Sequence, residues 1–119
     1  MEMKVRKAAF AGRFYPDDTK SIHAYMEHFL ENEQSKIKML PANSAIIGGV
    51  VPHAGIMYSG YEAVHFYEIV RRSRQRFDTV VIVNPNHTGN GIGIYNTATY
   101  SLWETPLGTL ENDTDFQDA

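Results

Sequence analysis

Apolar residues along this chain follow two different periods. Ile22, Tyr25, Met26, Phe29 and Leu30 recur at the three- and four-residue steps of a helix and form one stripe. Asp17, Asp18 and Thr19 stand just ahead of it and offer an N-cap and an acidic first turn. His23 and His28 lie off or beside the stripe and read as surface residues. The helix fades in the polar run 31–36, and Pro41 marks the following loop. Ahead of all this, residues 1–16 read as an extended arm ending at Pro16, with Gly12, Phe14 and Tyr15 packing on something.

The second period is that of buried strands. Ala45 to Val51 is nearly continuous in apolar residues, and Thr79 to Val83 is an uninterrupted β-branched run. Gly48 and Gly49 weaken the first as a strand and let a helix or another backbone approach. Between them the spacing predicts a helix over 59–75, with Ala63, Phe66, Tyr67 and Val70 on one apolar face and Tyr61 and Val64 on another. Gly55 and Gly60 bracket the turn before it. Strand, helix and strand at this spacing are what a parallel βαβ crossover requires. Alternation over 92–100 predicts a third strand, followed by a Pro-Leu-Gly turn and an acidic tail in which Asp113 offers a further N-cap. The fold class expected is α/β, a mostly parallel sheet flanked by helices, with 1–119 as one domain.

Charge changes this picture little. Eleven Lys and Arg against fourteen Asp and Glu give a net charge of −3, which argues against a nucleic-acid partner. Arg71, Arg72, Arg74 and Arg76 read as the solvated last turns of the second helix, with cations near the negative end of its dipole. With no cysteine there is no disulfide framework and no thiolate ligand. No signal-peptide pattern and no apolar run of membrane-spanning length is present, so a cytoplasmic protein with no membrane partner is expected.

The candidate chemistry sits at the strand ends. His53 lies two residues past Val51 and His87 four past Val83, in the position where open parallel sheets bind ligands. If the strands are neighbours, two imidazoles meet at one site, and imidazole is the commonest ligand for zinc, copper, iron and nickel. On spacing alone the plainer alternative, rings that hydrogen-bond loop backbone, stays open. Tyr58, five residues past His53, either offers a hydroxyl to the same site or is a half-buried loop tyrosine. The glycines of 89–93 precede a strand and lack a Walker lysine, so a phosphate cradle is a poor reading. Ser59 lacks a nucleophile-elbow context.

AFAGRFYP, VVPHAGIMYSG, NPNHTGNG and TPLG, in that order, resemble the N-terminal part of the Memo family, in prokaryotes also called AmmeMemoRadiSam system protein B. The resemblance implies a fold like that of class III extradiol dioxygenases, and it implies that His53 and His87 are metal ligands. It also places Phe14 and Tyr58 at the pocket wall, with Tyr58 orienting a substrate. It implies a metal-dependent oxidoreductase-type site using iron, copper or zinc; the alternative is a non-catalytic module that binds a peptide or anionic ligand in the same pocket. Either way the partner is a small molecule or peptide. Family members are more than twice this length and draw a further histidine, an aspartate and a cysteine from their C-terminal half. The expectation is therefore an incomplete site: metal weakly held, this form inactive, and an exposed sheet edge that is covered by the missing half or self-associates.

Overall fold

A computed structural model describes residues 3–91 and 93–117. Two helices dominate it. Helix α1 spans Thr19–Glu33, and Asp18 caps it as expected, accepting a hydrogen bond from the Ser21 amide at 2.8 Å. Helix α2 spans Ile56–Ser73, a turn earlier than the apolar spacing predicts, with Gly55 as its N-cap. Gly60 therefore lies inside the helix, not in a turn before it. Its missing side chain has a use there: a Cβ at residue 60 would stand 2.1 Å from Cε2 of Phe29. The Phe29 ring lies on that bare patch of α2 and meets Tyr61 edge-on, with ring centroids 4.8 Å apart. Phe29 and Ile22 from the predicted stripe are buried here, whereas Met26 of the same stripe stays exposed.

The sheet is small and mixed. Strand β1, Val5–Arg6, pairs in parallel with β2, Leu102–Thr105, which pairs antiparallel with β3, Gly108–Glu111. Pro106 and Leu107 form the two-residue connection of the β2–β3 hairpin, with Gly108 taking a positive φ of 132°. The hairpin tip is tied to α1 by the Thr19 hydroxyl, which donates to the Pro106 carbonyl at 2.7 Å. The N-terminal arm is thus anchored, not free: β1 holds one end, and the Phe14 carbonyl accepts from the Ile56 amide at 2.7 Å at the other. A four-residue helix, α3, spans Thr114–Gln117, and Asp113 caps it by accepting from the Phe116 amide.

The expected βαβ sheet is absent among the described residues, and this corrects the predicted topology. Neither 45–51 nor 79–83 forms a helix or a strand, and neither joins the sheet. A strand satisfies its amides only through a neighbouring strand, and the three-stranded sheet among the described residues does not include these two segments. Ile46 is held instead by the Gln75 side chain, which donates to its carbonyl and accepts from its amide, both at 2.8 Å. Gly49 has the role predicted for it, since a Cβ there would stand 2.2 Å from the Phe66 ring of α2; Gly48 has open space. The predicted third strand is likewise not formed over 93–100, and Ile92 lies outside the described residues. The chain bends there, with Gly91 at φ 105° and the Asn96 side chain donating back to the Gly93 carbonyl.

These unpaired segments leave their mark on the whole molecule. Its accessible surface is 10211 Å², against about 6500 Å² for a compact protein of this mass. The radius of gyration is 16.1 Å, against about 13.5 Å for a compact domain of this length. The packed part is the α1–α2 pair; the rest is spread around it.

Candidate functional site

The two loop histidines meet. Nε2 of His53 and Nε2 of His87 are 3.1 Å apart, with ring centroids 5.2 Å apart and the planes tilted by 40°. Each ring is delivered by its own local device. His53 sits between Pro52 and the start of α2, whose first turn is pinned to the N-terminal arm through Ile56 and Phe14. His87 sits in a turn organised by Asn86. That side chain accepts from the Gly89 amide at 3.1 Å and from the Thr88 hydroxyl at 3.0 Å, and donates to the Asn90 carbonyl at 2.6 Å. Gly89 takes the positive φ of 66° that this loop needs. At the far end of segment 79–83, the Thr79 hydroxyl donates to the Asp113 carboxylate, which lowers the pKa of that carboxyl.

The pair lines an open groove of about 1070 Å³ whose other walls come from α1, α2 and the β2–β3 hairpin. Its walls are mainly apolar, with Phe14, Met26, Phe29, Val64, Leu107 and Leu110 among them. Phe10 and Phe14 meet edge-to-face at 5.3 Å in this wall. Tyr58 is placed differently. It lies in the first turn of α2, on a helix instead of a loop, is 81% exposed, and is not part of the groove lining. So the structure brings His53, His87 and Phe14 to one cavity and leaves Tyr58 beside it.

Ser59 is the groove residue that spacing missed. It is only 6% exposed, and among the described residues its hydroxyl has no hydrogen-bond partner. The signal for it was its place one turn into a helix that starts directly from the His53 loop. Two further histidines act between helices. His28 Nε2 lies 3.0 Å from the Tyr61 hydroxyl, and His65 Nε2 lies 3.0 Å from Glu33, whose carboxyl is also held by Lys36 at 2.8 Å. Lys36 first and His65 second hold the Glu33 pKa below its ordinary value.

The basic run is exposed, with Arg71 and Arg72 in the last turn of α2 as expected, and these two also share a partner. Glu68 is buried at 4% exposure and takes Arg71 in a two-pronged contact at 2.6 and 2.7 Å, with Arg72 at 2.5 Å. The Arg71 hydrogen bond is the main cause that brings its pKa down to about 2. Arg71 and Arg72 are thus partners of one carboxylate as well as dipole cations. Arg74 takes the left-handed C-cap position.

The geometry of the pair fits a metal ion. At metal–nitrogen distances of about 2.0–2.1 Å, two cis ligands stand about 2.9–3.4 Å apart, and the observed 3.1 Å lies in that range. It also fits a direct hydrogen bond from one neutral ring to the other. Among the described residues no third His, Cys, Asp or Glu joins the pair to form a ligand group. No described helix is long and apolar enough to cross a membrane.

Comparison with known proteins agrees along nearly the whole chain. The sequence model for the family described as Memo-like protein matches residues 6–119. A MEMO1 family protein of Methanopyrus kandleri is 38% identical over 117 residues, covering 96% of this chain and 41% of the relative. One from Methanothermobacter thermautotrophicus is 40% identical over 119 residues, covering 97% and 42%. A third, from Pyrobaculum arsenaticum, is 36% identical, covering 95% and 40%. The chain therefore spans about two fifths of the length of these relatives. No solved structure matches it.

Proposed function

This chain belongs to the Memo-like family, and from that premise we propose that it contributes half of a metal-dependent, oxidoreductase-type site. His53 and His87 hold a divalent or redox-active ion of iron, copper or zinc, and the groove beside them takes a small molecule or peptide. The observation that carries this reading is the 3.1 Å approach of the two Nε2 atoms in the lining of a mainly apolar groove. When bound, the ion supplies Lewis-acid or redox chemistry at an open coordination position. The chain's own residues do the rest: the Asn86 turn fixes the His87 ring, the Phe10–Phe14 pair walls off water, and Ser59 offers a buried hydroxyl. The dioxygenase-like arrangement of the sheet belongs to this reading, and in it Tyr58 acts from outside the groove mouth.

Two neutral ligands hold an ion weakly, so the 119-residue form binds metal poorly and turns nothing over. A binding module without turnover is the second reading, favoured by the apolar walls, which suit the side chains of a peptide. Metal titration followed by elemental analysis separates the two. The metal reading expects weak binding that disappears in His53→Ala and in His87→Ala. Metal uptake unchanged in the double variant would end it, and ligand binding that survives both chelation and the double variant would establish the binding module.

A further inference from the structure

The loop that follows His87 carries a chemistry that the histidine pair does not use. Of the seven asparagines in the chain, Asn90 alone is followed by glycine. Asn32, Asn86, Asn96 and Asn112 each donate a side-chain amide to a carbonyl, and Asn84 precedes Pro85, whose nitrogen carries no proton. Asn90 is exposed, and among the described residues neither its side chain nor the Gly91 amide makes a hydrogen bond. Gly91 takes a φ of 105°, which strains any residue with a Cβ. The fold therefore disfavours the bulkier neighbour that would shield Asn90.

We propose that Asn90 is a site of spontaneous deamidation, and that its isoaspartate product opens the turn that carries His87. Asparagine is among the thermolabile residues, and here both reacting groups are free. The Gly91 nitrogen bonds to Cγ of Asn90 and gives up its proton, the Cγ–Nδ2 bond breaks, and the side-chain nitrogen leaves as ammonia. Water then opens the cyclic imide at either carbonyl, and nothing is oxidised or reduced. Opening at Cγ gives aspartate on an unaltered backbone. Opening at the main-chain carbonyl gives isoaspartate: the chain now runs through Cβ and Cγ, and the old carbonyl becomes a free carboxylate. That carbonyl is the group to which the Asn86 side chain donates at 2.6 Å, while Asn86 accepts from the Gly89 amide at 3.1 Å. Isoaspartate thus takes the main-chain anchor away from the Asn86 bridge and lengthens the loop by a methylene. The turn so loosened is the one that holds His87 against His53. None of this depends on whether a metal binds the pair.

The test ages the 119-residue chain at physiological temperature and mildly alkaline pH, beside the same chain held in urea. Peptide mapping by mass spectrometry, with fragmentation that separates isoaspartate from aspartate, reads the products. Both products are expected at Asn90 before any other asparagine converts. Asn90 left intact in the folded chain would overturn the proposal, whether or not the chain in urea converts there. The isoaspartate form is then isolated by chromatography. Its Gly89 amide should exchange about tenfold faster than in the parent, the loss of about one hydrogen bond, and its His87 ring signal should shift in nitrogen-correlated NMR spectra. Asn90→Asp adds the charge without lengthening the chain and should keep the parent's Gly89 exchange. Equal acceleration in Asn90→Asp would assign the opening to charge and overturn the second half of the proposal, as would parent-like exchange in the isoaspartate form. Asn90→Ser, aged alongside, should show neither product and an unmoved His87 signal; a shift there would trace the change to another lesion and overturn the link to Asn90.

Discussion

The α1–α2 pair and the segments 45–51 and 79–83 are both rich in apolar side chains, and they meet opposite fates. Phe29, at 3% exposure, is enclosed by Gly60, Tyr25 and Tyr61, whereas Ile47 and Val83 stand bare. The difference lies in where each element finds its hydrogen bonds. A helix closes its own ladder and needs a partner only for its apolar stripe. A strand needs a neighbour for its amides and a cover for each face, so it stays open until both are supplied. The packed core of this chain therefore lies in the helix pair, and the candidate site stands just past the segments that remain open.

The sharpest way to break this contrast is at Phe29. Phe29→Ala leaves a cavity against Gly60 and should cost about 3–5 kcal/mol in urea unfolding. A loss below about 1 kcal/mol would mean that the core lies elsewhere. Gly60→Val attacks the same contact from the other helix. It has nowhere to place its side chain and should cost about 1–3 kcal/mol.

Glu68 comes next. Glu68→Gln removes the carboxylate that two arginines share and should cost about 1–3 kcal/mol at neutral pH. Its folded-state pKa of about 2 lies below the ordinary 4.5, so protons bind the unfolded chain more readily. Its contribution is complete above about pH 4.5 and drains away as pH falls toward 2. Urea midpoints measured across that window should drop in the parent chain and stay flatter in Glu68→Gln. Parallel curves would show that other carboxylates govern acid unfolding.

The smallest effect belongs to the other side of the contrast. Ile47→Ser and Val83→Ser should shift the stability of the chain alone by no more than about 0.5 kcal/mol, because both side chains are almost fully exposed. A loss of several kcal/mol on thermal or urea unfolding would show these segments packed in solution.

Much of this was legible in residue order. The stripe from Ile22 to Leu30, the Asp18 and Asp113 caps and the turn at Pro106 and Leu107 all follow from local rules, whereas the meeting of His53 with His87 was expected only from paired strands, which do not form. Local periodicity determines the stripe, the caps and the turn because a helix or a tight turn is decided within a few residues. It could not decide whether 45–51 and 79–83 pair, since β-branched residues state a preference for a sheet without supplying the neighbouring strand. Nor could it show that Gly60 is the seat of the Phe29 ring, that Arg71 and Arg72 share Glu68, or that Tyr58 faces outside the groove. Those depend on which surfaces meet across distant parts of the chain, and that is settled by packing in three dimensions.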